Sequence, residues 1–85
     1  MSNLDYETRR ALYRQGKAIG FQIVQAEKRG DSFYANKRGW HWHEIEHDGA
    51  ICVASITGPF GSALEARTHF RETPRHQNGE WIEFP

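Results

Sequence analysis

The chain has 85 residues, with 11 Lys/Arg, 11 Asp/Glu and no formal net charge at pH 7. This length allows one modest hydrophobic core, so we predict a single domain over residues 1–85. Cys52 is the only cysteine, which excludes an internal disulfide framework and a cysteine-only zinc site and favours a reducing compartment. The sequence has no apolar stretch near the roughly 20 residues that span a bilayer and no apolar signal-peptide core at its N-terminus. We therefore expect a cytoplasmic protein without a membrane partner.

The N-terminal third of the sequence predicts a helix followed by a strand. Residues 2–5, Ser-Asn-Leu-Asp, match the pattern in which a serine caps a helix and an acidic residue three positions later caps in return. We expect a helix from about residue 3 to residue 15, ended by Gly16 or Gly20. Residues 21–26 have strand character. A turn at 29–31 follows, and residues 32–35 either pair back or lead into the next strand.

Residues 39–56 have the pattern of a β-hairpin. Alternation in the first strand places side chains on two faces, with Trp40, Trp42 and Glu44 on one and His41, His43 and Ile45 on the other. Residues 48–49, Asp-Gly, are a turn signal. The apolar run 51–56 predicts a central strand, and residues 58–61, Gly-Pro-Phe-Gly, are expected to end it.

The C-terminal third predicts a second helix and a final short strand. Residues 62–65 repeat the capping pattern, and the helix should end near Glu72 because Pro74 disfavours helical geometry before it. Its predicted buried stripe is Ala63, Ala66 and Phe70. An Asn-Gly turn at 78–79 precedes a strand over 80–84. The fold class is therefore α+β, with an antiparallel sheet of three to four strands, an N-terminal helix and a second helix packed on the sheet.

The charges are segregated along the chain. Residues 1–38 carry eight Lys/Arg and four Asp/Glu, whereas residues 39–66 carry four acidic residues and no Lys or Arg. A basic N-terminal helix could contact phosphates while aromatic side chains stack on bases. A nucleic-acid-binding module is therefore an alternative hypothesis, with candidate residues Arg9, Arg10, Arg14, Lys17, Lys37 and Arg38.

The histidines support a further alternative. His41, His43 and His47 provide three imidazoles within seven residues, and two of them share a strand face. Imidazole is a ligand of zinc, copper and nickel, although a fourth ligand has no fixed position in this sequence. A metal-binding function through these three residues is the second alternative.

The sequence predicts no catalytic residue and no cofactor. Cys52 lies in an apolar run, where a thiol is usually an inert small hydrophobe. Glu44 and Glu46 share a strand face, but solvated carboxylates explain that placement. Residues 58–61 lack the lysine of a phosphate-binding loop. We expect a protein that is not an enzyme.

Residues 35–68 resemble the small sheet-plus-helix units at the N-terminus of phage-type tyrosine integrases, the arm-binding domains. The likeness includes Trp40, Trp42 and Glu44 in the first strand, Asp48-Gly49 in the turn and Glu65-Ala66 in the helix. In that family the sheet enters the major groove of DNA, so the resemblance implies DNA binding. The segment also resembles small uncharacterised bacterial proteins with a Trp-x-Trp hairpin and a helix, which implies the fold and no activity.

The main functional prediction is a non-enzymatic interaction or adaptor protein of bacterial or phage origin. Tyr, Trp and Arg contribute most of the energy at protein interfaces, and the chain has three Tyr, three Trp and eight Arg. We expect a protein partner or a second copy of the chain, with nucleic acid as the alternative and no small-molecule ligand. The candidate contact residues are Trp40, His41, His43, Glu44, Glu46 and His47.

Overall fold

The computed structural model describes residues 5–26, 38–77 and 79–85. Its elements, in chain order, are α1 (Tyr6–Arg14), β1 (Ala18–Ala26), β2 (Gly39–Ile45), a 3-10 turn (Val53–Ser55), β3 (Thr57–Phe60), α2 (Ala63–Glu72), a second 3-10 turn (Pro74–His76) and β4 (Glu80–Phe84). The predicted α+β class is confirmed. None of the helices in the described ranges is long and apolar enough to cross a membrane.

The sheet is mixed, which corrects the prediction of an antiparallel sheet. Its strand order is β3-β2-β1-β4, with β2 antiparallel to both neighbours and β4 parallel to β1. The chain leaves β3 at one edge, passes through α2 and returns at the other edge. A strand that follows such a crossover runs parallel to the strand before it, so β4 has the direction of β3. Because β3 and β1 are both antiparallel to β2, β4 is also parallel to β1.

The start of α1 differs from the prediction. Asp5 is the N-cap, and its Oδ1 accepts a hydrogen bond from the Thr8 amide at 2.8 Å. The helix therefore begins at Tyr6 rather than near residue 3, and the predicted cap at Ser2 lies outside the described residues. The helix ends at Arg14, and Gly16 follows in the left-handed region with φ of 74°, as predicted. The predicted turn at 29–31 and the segment 32–35 also lie outside the described residues.

The third strand is displaced along the chain, so the prediction of a strand over 51–56 was wrong. The hydroxyl of Ser55 accepts a hydrogen bond from the Glu44 amide at 2.7 Å and donates to the Cys52 carbonyl at 2.6 Å. The Ser55 side chain thus accepts the hydrogen bond that the backbone of a partner strand would accept from β2. The strand begins at Thr57 instead and includes Gly58-Pro59, which were expected to end it. Proline is tolerated there because β3 is an edge strand.

The helix α2 matches the prediction closely. The Ser62 hydroxyl accepts from the Glu65 amide at 3.1 Å, and the helix runs to Glu72. Ala66 and Phe70 are buried, whereas Ala63 is partly exposed. A bidentate pair between Arg67 and Glu83, 2.7 Å in each branch, ties α2 to β4. The predicted final strand over 80–84 is also confirmed.

Both faces of the sheet carry core residues. On the tryptophan face, α2 packs on a cluster in which the Phe21 and Phe70 rings stack at 3.7 Å between centroids and Trp42 meets Phe70 edge-on. On the histidine face, Tyr13 of α1 meets Phe84 edge-on at 4.9 Å. The hairpin strand β2 therefore lies between two packed layers.

Candidate binding surface and pocket

Burial removes two of the six predicted contact residues from the surface. His41 and His43 are 1% and 0% exposed, Trp42 is also buried and Trp40 is half-buried. The expectation that the histidines form a contact surface assumed that one face of the sheet is open. Both faces instead carry packed side chains. Glu46 and His47 are exposed, because they lie beyond the end of β2.

The buried His43 takes part in a hydrogen-bond chain that reaches the protein surface. Its Nε2 lies 3.1 Å from Gln22 Oε1, and Gln22 Nε2 donates to the Pro85 carbonyl at 2.6 Å. The Gln22 oxygen accepts, so Nε2 of His43 carries the proton. Burial lowers the pKa of His43 and keeps the ring neutral. This chain fixes the side chain of Gln22 on the histidine face.

In the described structure, the three predicted metal ligands are not brought together at one site. Within the described ranges, no group of three or more His, Cys, Asp or Glu side chains is placed to hold one metal ion. His41 and His43 are buried in the sheet, whereas His47 is exposed in the turn after it. Three ligands close in sequence are therefore separated by the end of the strand.

Glu44 belongs to a polar cluster at the C-terminal end of α2. Its carboxylate pairs with Arg75 and lies 3.6 Å from His76 Nε2. His76 Nδ1 donates to the Phe70 carbonyl at 2.7 Å, and the two rings stack at 4.0 Å. Burial, with a smaller contribution from the Arg75 charge, lowers the pKa of His76. The cluster joins β2 to α2 and has a structural role.

The predicted nucleic-acid-binding residues are divided among several places. Arg9 lies over the Trp81 ring, 5.0 Å from its centroid, as does Arg71 of α2 at 5.1 Å. Arg38 directly precedes β2. Because Gly39 pairs with Ala26, the start of β2 lies beside the end of β1 that is far from α1. Lys17 is exposed after α1, and Lys37 lies outside the described residues. Among the described residues of this set, Arg9 and Arg38 therefore lie at separate places in the fold.

The remaining two arginines, Arg10 and Arg14, border a pocket of about 400 Å³ on the histidine face. Volumes of this size suit small ligands or single side chains. The Tyr13 hydroxyl donates to the Glu46 carbonyl and closes one wall. Burial raises the pKa of Tyr13, so its hydroxyl stays protonated at neutral pH. The lining residues come from α1 (Arg10, Tyr13 and Arg14), from the sheet (Gln22, Ile45 and Phe84) and from the turn at 47–49, together with Pro85.

Next to this pocket, residues 46–54 form an exposed but hydrogen-bonded connection, which we call the 46–54 segment. The Glu46 amide donates to the Ala50 carbonyl at 2.8 Å, and the Cys52 amide donates to the Glu44 carbonyl at 2.9 Å. Asp48 Oδ1 accepts from the Ala50 amide at 3.0 Å. The two branched aliphatic side chains of the 46–54 segment are in solvent: Ile51 is 38% exposed and Val53 is 52% exposed.

A second concavity of about 470 Å³ lies between α2 and the edge strand β3. It is bordered by Phe60 of β3 and by Leu64, which is 68% exposed. Its lining is mainly apolar and also includes Glu65 and Glu72.

Comparisons of this chain with protein-family models, with curated proteins and with solved structures find no match. The resemblance to integrase arm-binding domains therefore stays a prediction. The pocket was missed from the sequence because its residues come from three distant segments. The one local signal was the spacing of Arg10 and Arg14, which puts them on the same face of a helix.

Proposed function

We propose that the protein is a non-enzymatic interaction module that binds another protein through the 46–54 segment. The observation that carries this proposal is the exposure of Ile51 and Val53 on a backbone held by hydrogen bonds. Neighbouring exposed aliphatic side chains are a feature of contact sites, because binding removes their apolar surface from water.

The backbone of the segment is organised before any partner binds. Ser55 fixes its C-terminal end through the Glu44 amide and the Cys52 carbonyl. The turn at its N-terminal end is closed by the Gly49 amide, which donates to the Glu46 carbonyl at 2.8 Å. A contact surface that is already ordered loses little conformational entropy on binding, which favours affinity.

The charges around the segment describe the expected partner surface. Glu46 and Asp48 are exposed and acidic, while Ile51 and Val53 are apolar. A complementary surface would present an apolar patch with Lys or Arg at its rim. Among the described residues, Arg9 beside Trp81 and Arg38 before β2 lie at separate places. This favours such a protein contact over a nucleic-acid interface, which needs a continuous basic footprint.

The test is photo-crosslinking in cells from a photoreactive amino acid placed at Val53. We expect one discrete adduct, and we expect the Ile51→Asp change in the same chain to abolish it because a buried charge opposes burial of the patch. Leu64→Asp is the matched control, since Leu64 is the most exposed large hydrophobic side chain described and lies on α2. Crosslinking that survives Ile51→Asp, or that is lost equally with Leu64→Asp, would contradict the proposal.

A further inference from the structure

The pocket beside α1 has the composition of a binding site for a small anionic molecule. Arg10 and Arg14 lie four residues apart on α1 and both border the pocket. Like charges at this spacing repel one another on a helix surface. Among the described residues, no ion pair, ring contact or side-chain hydrogen bond engages either guanidinium, so no described group competes with a ligand for their donors.

The one acidic side chain of the lining already has a partner. Asp48 Oδ1 accepts a hydrogen bond from the Ala50 amide within its own turn. The carboxylates that neutralise arginines elsewhere in the described structure, Glu83 with Arg67 and Glu44 with Arg75, belong to the tryptophan face. The pocket thus has two cationic groups and one acid.

Part of the pocket lining is aromatic and aliphatic. Phe84 and Tyr13 pack edge-on, and Ile45 is also in the lining. Gln22 is held on both sides of its amide by His43 and by the Pro85 carbonyl. A planar apolar ring would fit against the two aromatic side chains, while the two arginines would face a charged substituent.

We propose that this pocket binds a small aromatic molecule that carries one oxyanion group, a carboxylate or a phosphate monoester. Guanidinium groups pair with both oxyanions through two parallel hydrogen bonds, and charge-assisted bonds of this kind are the stronger ones in proteins. The aromatic body of the ligand would cover Phe84 and Tyr13. The pocket shares the turn at 47–49 with the segment of the proposed protein contact, but Ile51 and Val53 are not in its lining. The proposal departs from the sequence-based expectation of no small-molecule ligand.

The experiment is a titration of the isotope-labelled full chain followed by amide NMR shifts. Phenyl phosphate and benzoate are the two probes, and benzyl alcohol is the neutral control of similar shape. We expect saturable shifts at Arg10, Tyr13 and Phe84 with both probes, and a dissociation constant at least tenfold lower than that of benzyl alcohol, or about 1.4 kcal/mol. The tighter probe identifies the oxyanion class.

Two variants keep the test independent of folding. Arg10→Gln/Arg14→Gln should lose about tenfold or more in affinity for either probe, while Arg10→Lys/Arg14→Lys should keep part of it because the charge remains. Arg71→Gln and Val53→Asp should bind as the wild type does, which separates this site from Trp81 and from the protein contact. Four results would each overturn the proposal. The first two are equal binding of benzyl alcohol and unchanged affinity in the glutamine variant. The others are inorganic phosphate that binds as tightly as phenyl phosphate, and no saturation at about 10 mM probe, which corresponds to a binding free energy weaker than about 3 kcal/mol.

Discussion

Gly20 is the residue that brings α1 onto the histidine face. A Cβ at this position would lie 2.6 Å from a carbon of the Tyr13 ring and 2.9 Å from a carbon of the Phe84 ring. Tyr13 is buried in that space and borders the pocket. The absence of a side chain at one strand position therefore decides how closely the helix can approach the sheet.

We predict that Gly20→Ala lowers the free energy of unfolding by about 1–3 kcal/mol, because the added methyl group overpacks the contact with Tyr13 and Phe84. Urea unfolding of the two proteins measures the difference. Gly79→Ala is the control, since nothing lies within 4 Å of a Cβ built there. Equal losses in both variants would show that glycine flexibility, rather than the Tyr13 contact, explains the change.

At the residue scale, the sequence predicted alternation in β2 but not which side chains are buried. Trp42 and His43 point to opposite faces, as expected, and both are buried. Periodicity assigns side chains to faces, and burial depends on what packs on each face. His43 is buried because segments that are distant in the chain pack around it. Local residue spacing carries no information about that packing.

At the element scale, helix α2 depends on its N-terminal cap. Ser62 accepts from the Glu65 amide, and Glu65 Oε2 accepts from the Gly61 amide at 2.7 Å. We predict that Ser62→Ala lowers the free energy of unfolding by about 1 kcal/mol, because the amide at the helix start loses its acceptor. Chemical denaturation tests this. Thr68→Ala, on an exposed position of the same helix, should leave the stability unchanged or raise it slightly.

The turn after β2 depends on Ser55 in a different way. Its hydroxyl bonds to the Glu44 amide and the Cys52 carbonyl, and both contacts are partly buried. We predict that Ser55→Ala costs about 1–3 kcal/mol of stability, since the Glu44 amide is left without its acceptor. Hydrogen exchange should also show faster exchange at Glu44 than in the wild type. Protection that is unchanged at Glu44 would mean that another group accepts its proton.

The elements were predictable where short-range chemistry decides them. The caps and the buried stripe of α2 follow from residues within one helical turn, and the structure agrees. The third strand was not predictable from its apolar run, because the Ser55 hydroxyl competes with a backbone partner of β2. Pro59 predicted the end of a strand. A proline is tolerated in an edge strand, however, and the edge position of β3 is a property of the whole sheet.

At the scale of the whole molecule, the sheet separates two layers that each bury a histidine. His76 lies with Phe70 and Trp42 on the tryptophan face, and His43 lies beside Gln22 on the other. The direction of β4 and the position of the pocket both follow from how α1 and α2 approach the sheet. Apart from the spacing of Arg10 and Arg14 beside the pocket, neither has a local sequence signal, because each joins segments that are far apart in the chain.

These two histidines make the stability of the protein depend on pH. Burial lowers the pKa of both His43 and His76 in the folded state. Above their ordinary value of about 6.5, both rings are neutral whether the chain is folded or unfolded. As the pH falls below that value, the unfolded chain takes up protons that the folded chain does not, so the folded state loses stability. Asp5, whose pKa is lowered by its hydrogen bonds with Thr8, contributes only at more acidic pH.

We therefore predict that the free energy of unfolding falls between pH 7 and pH 5, by up to about 1.4 kcal/mol per pH unit for each histidine. Urea unfolding at intervals of half a pH unit measures the slope. His43→Gln should reduce the slope because one titrating group is removed. Stability that is constant or rises toward pH 5 would show that the buried rings accept protons in the folded state, and for His76 the nearby Glu44 carboxylate would be the group that stabilises the charge.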